Sequence, residues 1–390
     1  MASLTATRRA QEPRLGGEAE RPLATRRRSE SPSRRRGNWC PAFGVAAVLA
    51  LLALGTGCEP GTEPNQQIRV ARVLGEPGTF PGQFTYPRAL DFDGERLWIV
   101  DKSARVQQID PETGLCGLWW RMPDSDLGMP TGISIAPATR PDGSLVRAIY
   151  VPDTHYHRVL VYALPDEKPE KPLEFEPELL ASFGSLGTEP GRFIYPTDVA
   201  VLLTADGSAV ERIYVSEYGG NDRINVFDSS HEFLFSFGTL GDGLDPAALE
   251  FSRPQSMVID PVRRELLVTD SCNHRIGRFT LDGELLGWTG SPVPAPASQS
   301  AATVDLDFPY SLYLLEDSTL LVTEFGACRV QRVDPVRSVS LGSFGVAGRG
   351  EGELATPWAA VVVGRETLIL DSGNGRIVVG MLPGVEGGPS

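Results

Sequence analysis

The chain has 390 residues, 41% of them hydrophobic, with 42 Gly and 32 Pro. That is enough apolar material for one large or two medium domains, and the absence of a three-residue Gly period excludes collagen. Charge is divided between two regions: residues 1–58 hold ten Arg and four Glu, a net +6, and the remaining 26 basic and 46 acidic residues leave −20. A domain this acidic repels phosphate backbones, so nucleic acid is excluded as a partner. Three Lys against 33 Arg fit the codon bias of a G+C-rich bacterium.

Residues 1–38 are polar and Arg-rich with no apolar period, and disorder is expected there. Arg34, Arg35 and Arg36 precede an apolar run from Ala42 to Leu54, broken only by Gly44. The run falls short of the roughly 20 residues a membrane span needs. Its basic flank, short apolar core and small residues describe a secretory signal. Gly55, Thr56 and Gly57 lead straight into Cys58. This junction resembles a lipobox, although that family prefers Leu three residues before the Cys, where Gly55 stands here. The resemblance implies cleavage before Cys58, lipidation of its thiol and an extracytoplasmic protein tethered in the cell envelope. Glu59 after the Cys implies the outer membrane. Ordinary signal cleavage and a short anchor are the alternatives.

Two signatures then alternate six times. One is an apolar residue three before a Pro that opens an apolar strand: Phe84/Pro87, Leu127/Pro130, Phe193/Pro196, Phe251/Pro254, Leu306/Pro309 and Leu354/Pro357. The other is a strand-ending acid, a turn, and an Arg: Asp101/Arg105, Asp153/Arg158, Glu217/Arg223, Asp270/Arg275, Glu324/Arg329 and Asp371/Arg376. Apolar runs between them predict four strands per repeat, the pattern of a propeller blade. Ile68–Leu74 reads as a fourth strand without a preceding three, and the last repeat ends after three. The N-terminal strand is therefore expected to complete the last blade and remove an open edge.

The stretches GQFTYP, GRFIYPTDVAV, VTDSCNHRI and ILDSGNGRI resemble the NHL-repeat family, over residues 67–382. The resemblance implies an all-β, six-bladed propeller with four-stranded blades, and such a fold hosts many unrelated functions. The expected division is a leader and signal over 1–57, lipidated Cys and linker over 58–66, propeller over 67–382 and a disordered tail over 383–390. Leu164–Pro177 and Pro292–Thr303 read as solvated insertions. Cys116, Cys272 and Cys328 are too few for a disulfide scaffold, though Cys272 and Cys328 occupy corresponding turns of neighbouring blades.

The repeated acid and Arg recur in every blade, which points to structure; these acids are expected to bind turn amides or the Arg. The residue after each Pro differs: Arg88, Thr131, Thr197, Gln255, Tyr310 and Trp358. This position starts the innermost strand at the channel entrance, so these six are the ligand-binding candidates. Arg88 suits an anion, and Tyr310 and Trp358 suit a sugar or an apolar ligand; plugging the channel is their structural alternative. The turns before the repeated Arg supply His155, His157, Tyr218, Asn221, Asp222, Asn273, His274 and Cys328 to the same face.

Peptide-amidating lyases share the propeller, and their zinc-binding His residues follow the strand-opening Pro; none of the six positions here is His. Asp198, in Pro196-Thr197-Asp198, occupies a place resembling that family's structural calcium ligand, so calcium is the one cofactor expected. Lactonase-like propellers also hold calcium, but their full set of acids and Asn cannot be assembled here. The leading expectation is a monomeric, membrane-displayed, non-catalytic module that binds a protein, peptide or glycan at its entrance face. The alternatives are a propeller enzyme and a structural scaffold of an envelope complex.

Overall fold

The computed structural model describes residues 65–165, 175–293 and 304–385. The signal segment, Cys58 and the middle of both insertions lie outside the described residues.

Six four-stranded antiparallel sheets follow one another. From the innermost strand outwards, blade one is Pro87–Phe92, Leu97–Asp101, Arg105–Ile109 and Cys116–Arg121; blade two is Ser134–Thr139, Leu145–Asp153, Arg158–Ala163 and Leu179–Phe183. Blade three is Tyr195–Leu203, Val210–Tyr218, Arg223–Phe227 and Phe233–Phe237; blade four is Pro254–Asp260, Glu265–Asp270, Arg275–Thr280 and Leu285–Gly290. Blade five is Pro309–Leu314, Leu320–Glu324, Arg329–Asp334 and Val339–Phe344. Blade six is Ala359–Val363, Glu366–Asp371 and Arg376–Met381, completed by the N-terminal strand Arg69–Leu74. Leu74 faces Ile377 and Val70 faces Gly380 in antiparallel register. The ring therefore closes through the strand that sequence reasoning assigned to it.

Blades adhere through apolar layers between neighbouring sheets. Trp98, Val100, Val106 and Leu118 of blade one pack with Ile149, Val151, Leu160 and Tyr162 of blade two. Each crossing from an outer strand to the next inner strand is seated by a buried side chain, with Phe84, Phe193, Phe251 and Leu354 at 0–1% exposure. The Gly that ends the preceding strand makes room for it. A Cβ at Gly184 would stand 2.3 Å from the Phe193 ring, one at Gly238 would stand 2.4 Å from Phe251, and both glycines have positive φ. Blade two departs from the pattern. Leu127 is 55% exposed, and the inner strand begins only at Ser134, so the Leu127/Pro130 pair does not play the part of its five counterparts. Its crossing lacks a Phe-Gly step: Arg121, Met122 and Pro123 stand there.

The acid-and-Arg signature is a staple. Asp270 accepts the Ser252 N–H at 2.6 Å, Asn273 Nδ2 at 2.9 Å and Arg275 Nε at 2.8 Å. The Arg275 guanidinium then donates to the Gly243 and Glu250 carbonyls of the incoming crossing. Arg105 does the same with Asp101 and the carbonyls of Gly78 and Gln83, and Arg376 with Asp371, Gly350 and Glu353. The staple thus supplies donors to carbonyls of the crossing that strand pairing leaves free. Cys328 is a free thiol, so it forms no bridge to Cys272. Packed structure continues past position 382, since Val385 is buried at 1% beside Leu382.

Candidate functional site

All six inner strands line one axial cavity of about 380 Å³. Apolar side chains, among them Leu90, Ile135, Val201, Ile259, Leu312 and Val361, share its lining with the polar groups of Asp91, Ser134, Asp198, Ser256 and Ser311. Of the six candidates after the Pro, Arg88, Thr131, Gln255, Tyr310 and Trp358 line this cavity and Thr197 does not. Their exposures run from 0% at Thr197 to 6% at Tyr310, so none is an open anchor at the rim.

Two of them are struts. Thr197 Oγ1 donates to the Pro254 carbonyl at 2.7 Å, tying blade three to blade four, and Thr131 Oγ1 meets Thr154 Oγ1 at 2.9 Å. The other four belong to an aromatic and cationic cluster at the mouth. Tyr310 stacks on Phe325 with centroids 4.5 Å apart and meets the Trp358 ring edge-on at 5.0 Å. The Arg88 guanidinium lies 5.3 Å from the Trp358 ring. Gln255 Oε1 accepts Arg253 Nε at 2.9 Å.

The residue before each Pro is the one that reaches the surface of the mouth. Tyr86, Met129, Tyr195, Arg253, Phe308 and Thr356 are all half-buried where their successors are buried. Five of them have positive φ: Tyr86 50°, Met129 67°, Arg253 62°, Phe308 49° and Thr356 44°. Side chains other than Gly enter this left-handed region at a cost, and such residues gather at functional sites. The readable signal was a bulky residue recurring immediately before the Pro. Arg253 is the most developed case. Asp222 of blade three accepts its backbone N–H at 2.6 Å, and its guanidinium lies 4.9 Å from the Tyr218 ring and 5.1 Å from the Tyr310 ring.

The turn residues contribute unevenly. His155 borders the same cluster, 5.6 Å from the Tyr195 ring. Burial, with Arg88 nearby, pushes its imidazole below the usual range, keeping it neutral at pH 7. His157 is engaged by the Ile194 carbonyl. His157, His274 and Cys328 take the left-handed position just before the repeated Arg. Among the described residues no group of three His, Cys, Asp or Glu is placed to hold a metal.

Asp198 does not fit a calcium ligand. Its oxygens accept the Val199 and Met257 N–H groups at 2.9 and 2.8 Å and the Ser134 hydroxyl at 3.3 Å, so donors surround it where a cation would need further oxygens. It clamps blades two, three and four. Burial raises its pKa to about 7, against the pull of those hydrogen bonds. Asp91 makes the corresponding clamp from blade one to the Ile135 N–H, and burial raises its pKa to about 6. Both lie above the unfolded value of about 3.9, so the folded state holds more protons between pH 4 and 7. Their contribution to stability is complete below pH 4 and is lost as pH rises through 7. Unfolding free energies from urea titrations should therefore fall between pH 5 and 8, by on the order of 2–4 kcal/mol, and Asp198→Asn should flatten that slope. An unchanged slope in the variant would contradict the assignment.

A family model described as NHL repeat matches residues 251–279. The chain carries an NHL repeat and folds as a six-bladed β-propeller. The NHL-repeat chain is 33% identical over 96 residues to peptidyl-glycine alpha-amidating monooxygenase of Mus musculus, and to the same degree to that of Rattus norvegicus. These matches cover 25% of this chain and only 9% of the length of those relatives. Similar solved structures include a catalytically inactive virginiamycin B lyase from Staphylococcus aureus, 16% identical, covering 76% of this chain and 80% of that one, TM-score 0.46. A Bacteroides thetaiotaomicron protein of unknown function is 16% identical, covering 80% and 75%, TM-score 0.48.

Proposed function

We propose that this NHL-repeat propeller is a binding module, tethered outside the cytoplasm through Cys58, that captures a protein, peptide or glycan at its channel mouth. One observation carries the reading: strained half-buried residues from several blades, Arg253 and Tyr86 foremost, cluster with Tyr218, Tyr310 and Trp358, the last two of which line the cavity. Binding energy concentrates in such Arg and aromatic anchors. Trp358 and Arg88 are too deeply buried to serve as clean probes, because truncating either opens a cavity in the wall. Arg253→Asn and Tyr218→Ala are the informative variants, and Asn tolerates the left-handed backbone at 253. Screening peptide and glycan arrays should yield ligands whose capture weakens by about 1–3 kcal/mol in each variant. Ligands bound equally by wild type and both variants would place recognition elsewhere.

Tethering rests on the basic flank, short apolar run and Gly57-Cys58 junction. Lipidation with several acyl chains gives stable attachment where one gives marginal binding. Cys58→Ser should move the protein from the membrane to the soluble fraction; unaltered partitioning would refute the lipid anchor. A second reading, a propeller enzyme, draws on the neutral His155 beside Arg88 and on the match to the amidating monooxygenases. Turnover of an array ligand that His155→Gln abolishes would establish it.

A further inference from the structure

The mouth has buried hydrogen-bond donors without acceptors. Gln255, 2% exposed, and Trp358, 4% exposed, both line the cavity, and Gln255 Nε2 and Trp358 Nε1 have no partner. The Gln255 amide cannot be turned round to relieve this, because its Oε1 already accepts Arg253 Nε. An indole nitrogen only donates. An unpaired buried donor costs free energy comparable to a lost hydrogen bond, so two at one mouth mark a place that an acceptor should occupy.

The charge points the same way. Arg253 makes no ion pair among the described residues, and its nearest acid, Asp222, has its oxygens taken by the backbone N–H groups of Gly219, Gly220 and Arg253. Arg88 lies close enough to Arg253 for the two to repel, which adds to the burial that lowers the Arg88 pKa. The Arg253 cation beside unused donors, in a chain of net charge −14, makes a local site for the opposite sign. The two acids of the cavity wall, Asp91 and Asp198, are occupied by backbone amides, and burial favours their neutral forms.

Taking the mouth as the binding site, we propose that it holds a ligand carboxylate against Arg253 and Gln255 Nε2–H, with a second ligand oxygen on Trp358 Nε1–H. Tyr310 stands between the two points, in contact with both the Arg253 guanidinium and the Trp358 ring. The ligand is an organic acid whose carboxylate and second acceptor are separated by a body that lies over this ring. An acylated amino acid and a sugar acid both supply that chemistry.

The test compares two acids with their neutral twins: N-acetylphenylalanine with its amide, and galacturonate with its methyl ester. Calorimetry on the intact protein should show at least one acid binding about tenfold or more tightly than its twin, the loss expected when a charged hydrogen-bond partner is removed. The pair that discriminates names the source. The indole N–H resonance of Trp358, identified by its absence in Trp358→Phe, should shift downfield with that acid alone. Arg253→Asn should remove both effects; Gln255→Leu serves if that variant does not fold. Equal binding of acid and twin, or no binding of either acid at millimolar concentration, overturns the carboxylate assignment. If array ligands still depend on Arg253 in that case, the mouth remains the binding site; if they do not, the mouth reading has failed as well.

Discussion

Deleting residues 65–75 should leave a protein that aggregates or melts far below the intact chain. The deletion removes the outer strand of blade six, together with Ile68 and Leu74, each 5% exposed. Two such side chains account for about 3–6 kcal/mol of burial, a large part of the 5–15 kcal/mol that typically holds a domain together. The deletion also uncovers the length of Arg376–Met381, and an unpaired edge templates association between molecules. Size-exclusion chromatography and calorimetry read both effects. A synthetic peptide of residues 65–75 should restore the monomer. A truncated chain that stays monomeric and melts like the intact one would disprove closure by this strand.

Breaking one staple should cost nearly as much. Asp270→Ala leaves the Arg275 guanidinium, 2% exposed at its side chain, without its carboxylate, and leaves the Ser252 N–H and Asn273 amide without their acceptor. Removing one member of a buried pair costs about 3–5 kcal/mol. The exposed pair Arg140–Glu178, at 32% and 56% exposure, supplies the contrast: Glu178→Ala should cost far less, because solvent screens an exposed ion pair. Urea denaturation of the two variants measures the difference. Equal losses would mean that the staple does no more than a surface pair.

The blades were legible because their physics repeats. Strand-ending acids such as Asp101 and Glu324, and crossing anchors such as Phe193, recur once per repeat, and the lone strand at the N-terminus had one vacant position to fill. Leu127 misled because a spacing can persist where the burial behind it does not. At the mouth the half-exposed side chains stand two positions before the expected ones, for a definite reason. Register shifts fall just after the strand-opening Pro, between Pro87 and Ala89, Pro196 and Asp198, and Pro309 and Ser311. A bulge re-aims the neighbouring side chain, which here turns Arg88 and Tyr310 into the cavity wall, buries Thr197 against blade four and leaves the residues two positions earlier at the rim. Neither the bulge nor the left-handed turn before it has a composition that marks it. Asp198 shows the same limit, since only its surroundings tell a clamp from a metal ligand.

Ring closure also sets a timetable. Leu74 pairs with Ile377, 303 positions further along (377 − 74). The first strand to leave the ribosome must wait for almost the last one before it has a neighbour. Contacts this distant in sequence are slow to form, because the chain between them must first be gathered in. Until the final repeat arrives, blade six has nothing to offer the waiting strand, and the fold has no way to seal. A chain cut short before residue 376 would carry one two-stranded remnant of blade six and one strand without a partner. The closing pair thus acts as an end-of-message check, separating complete products from interrupted ones.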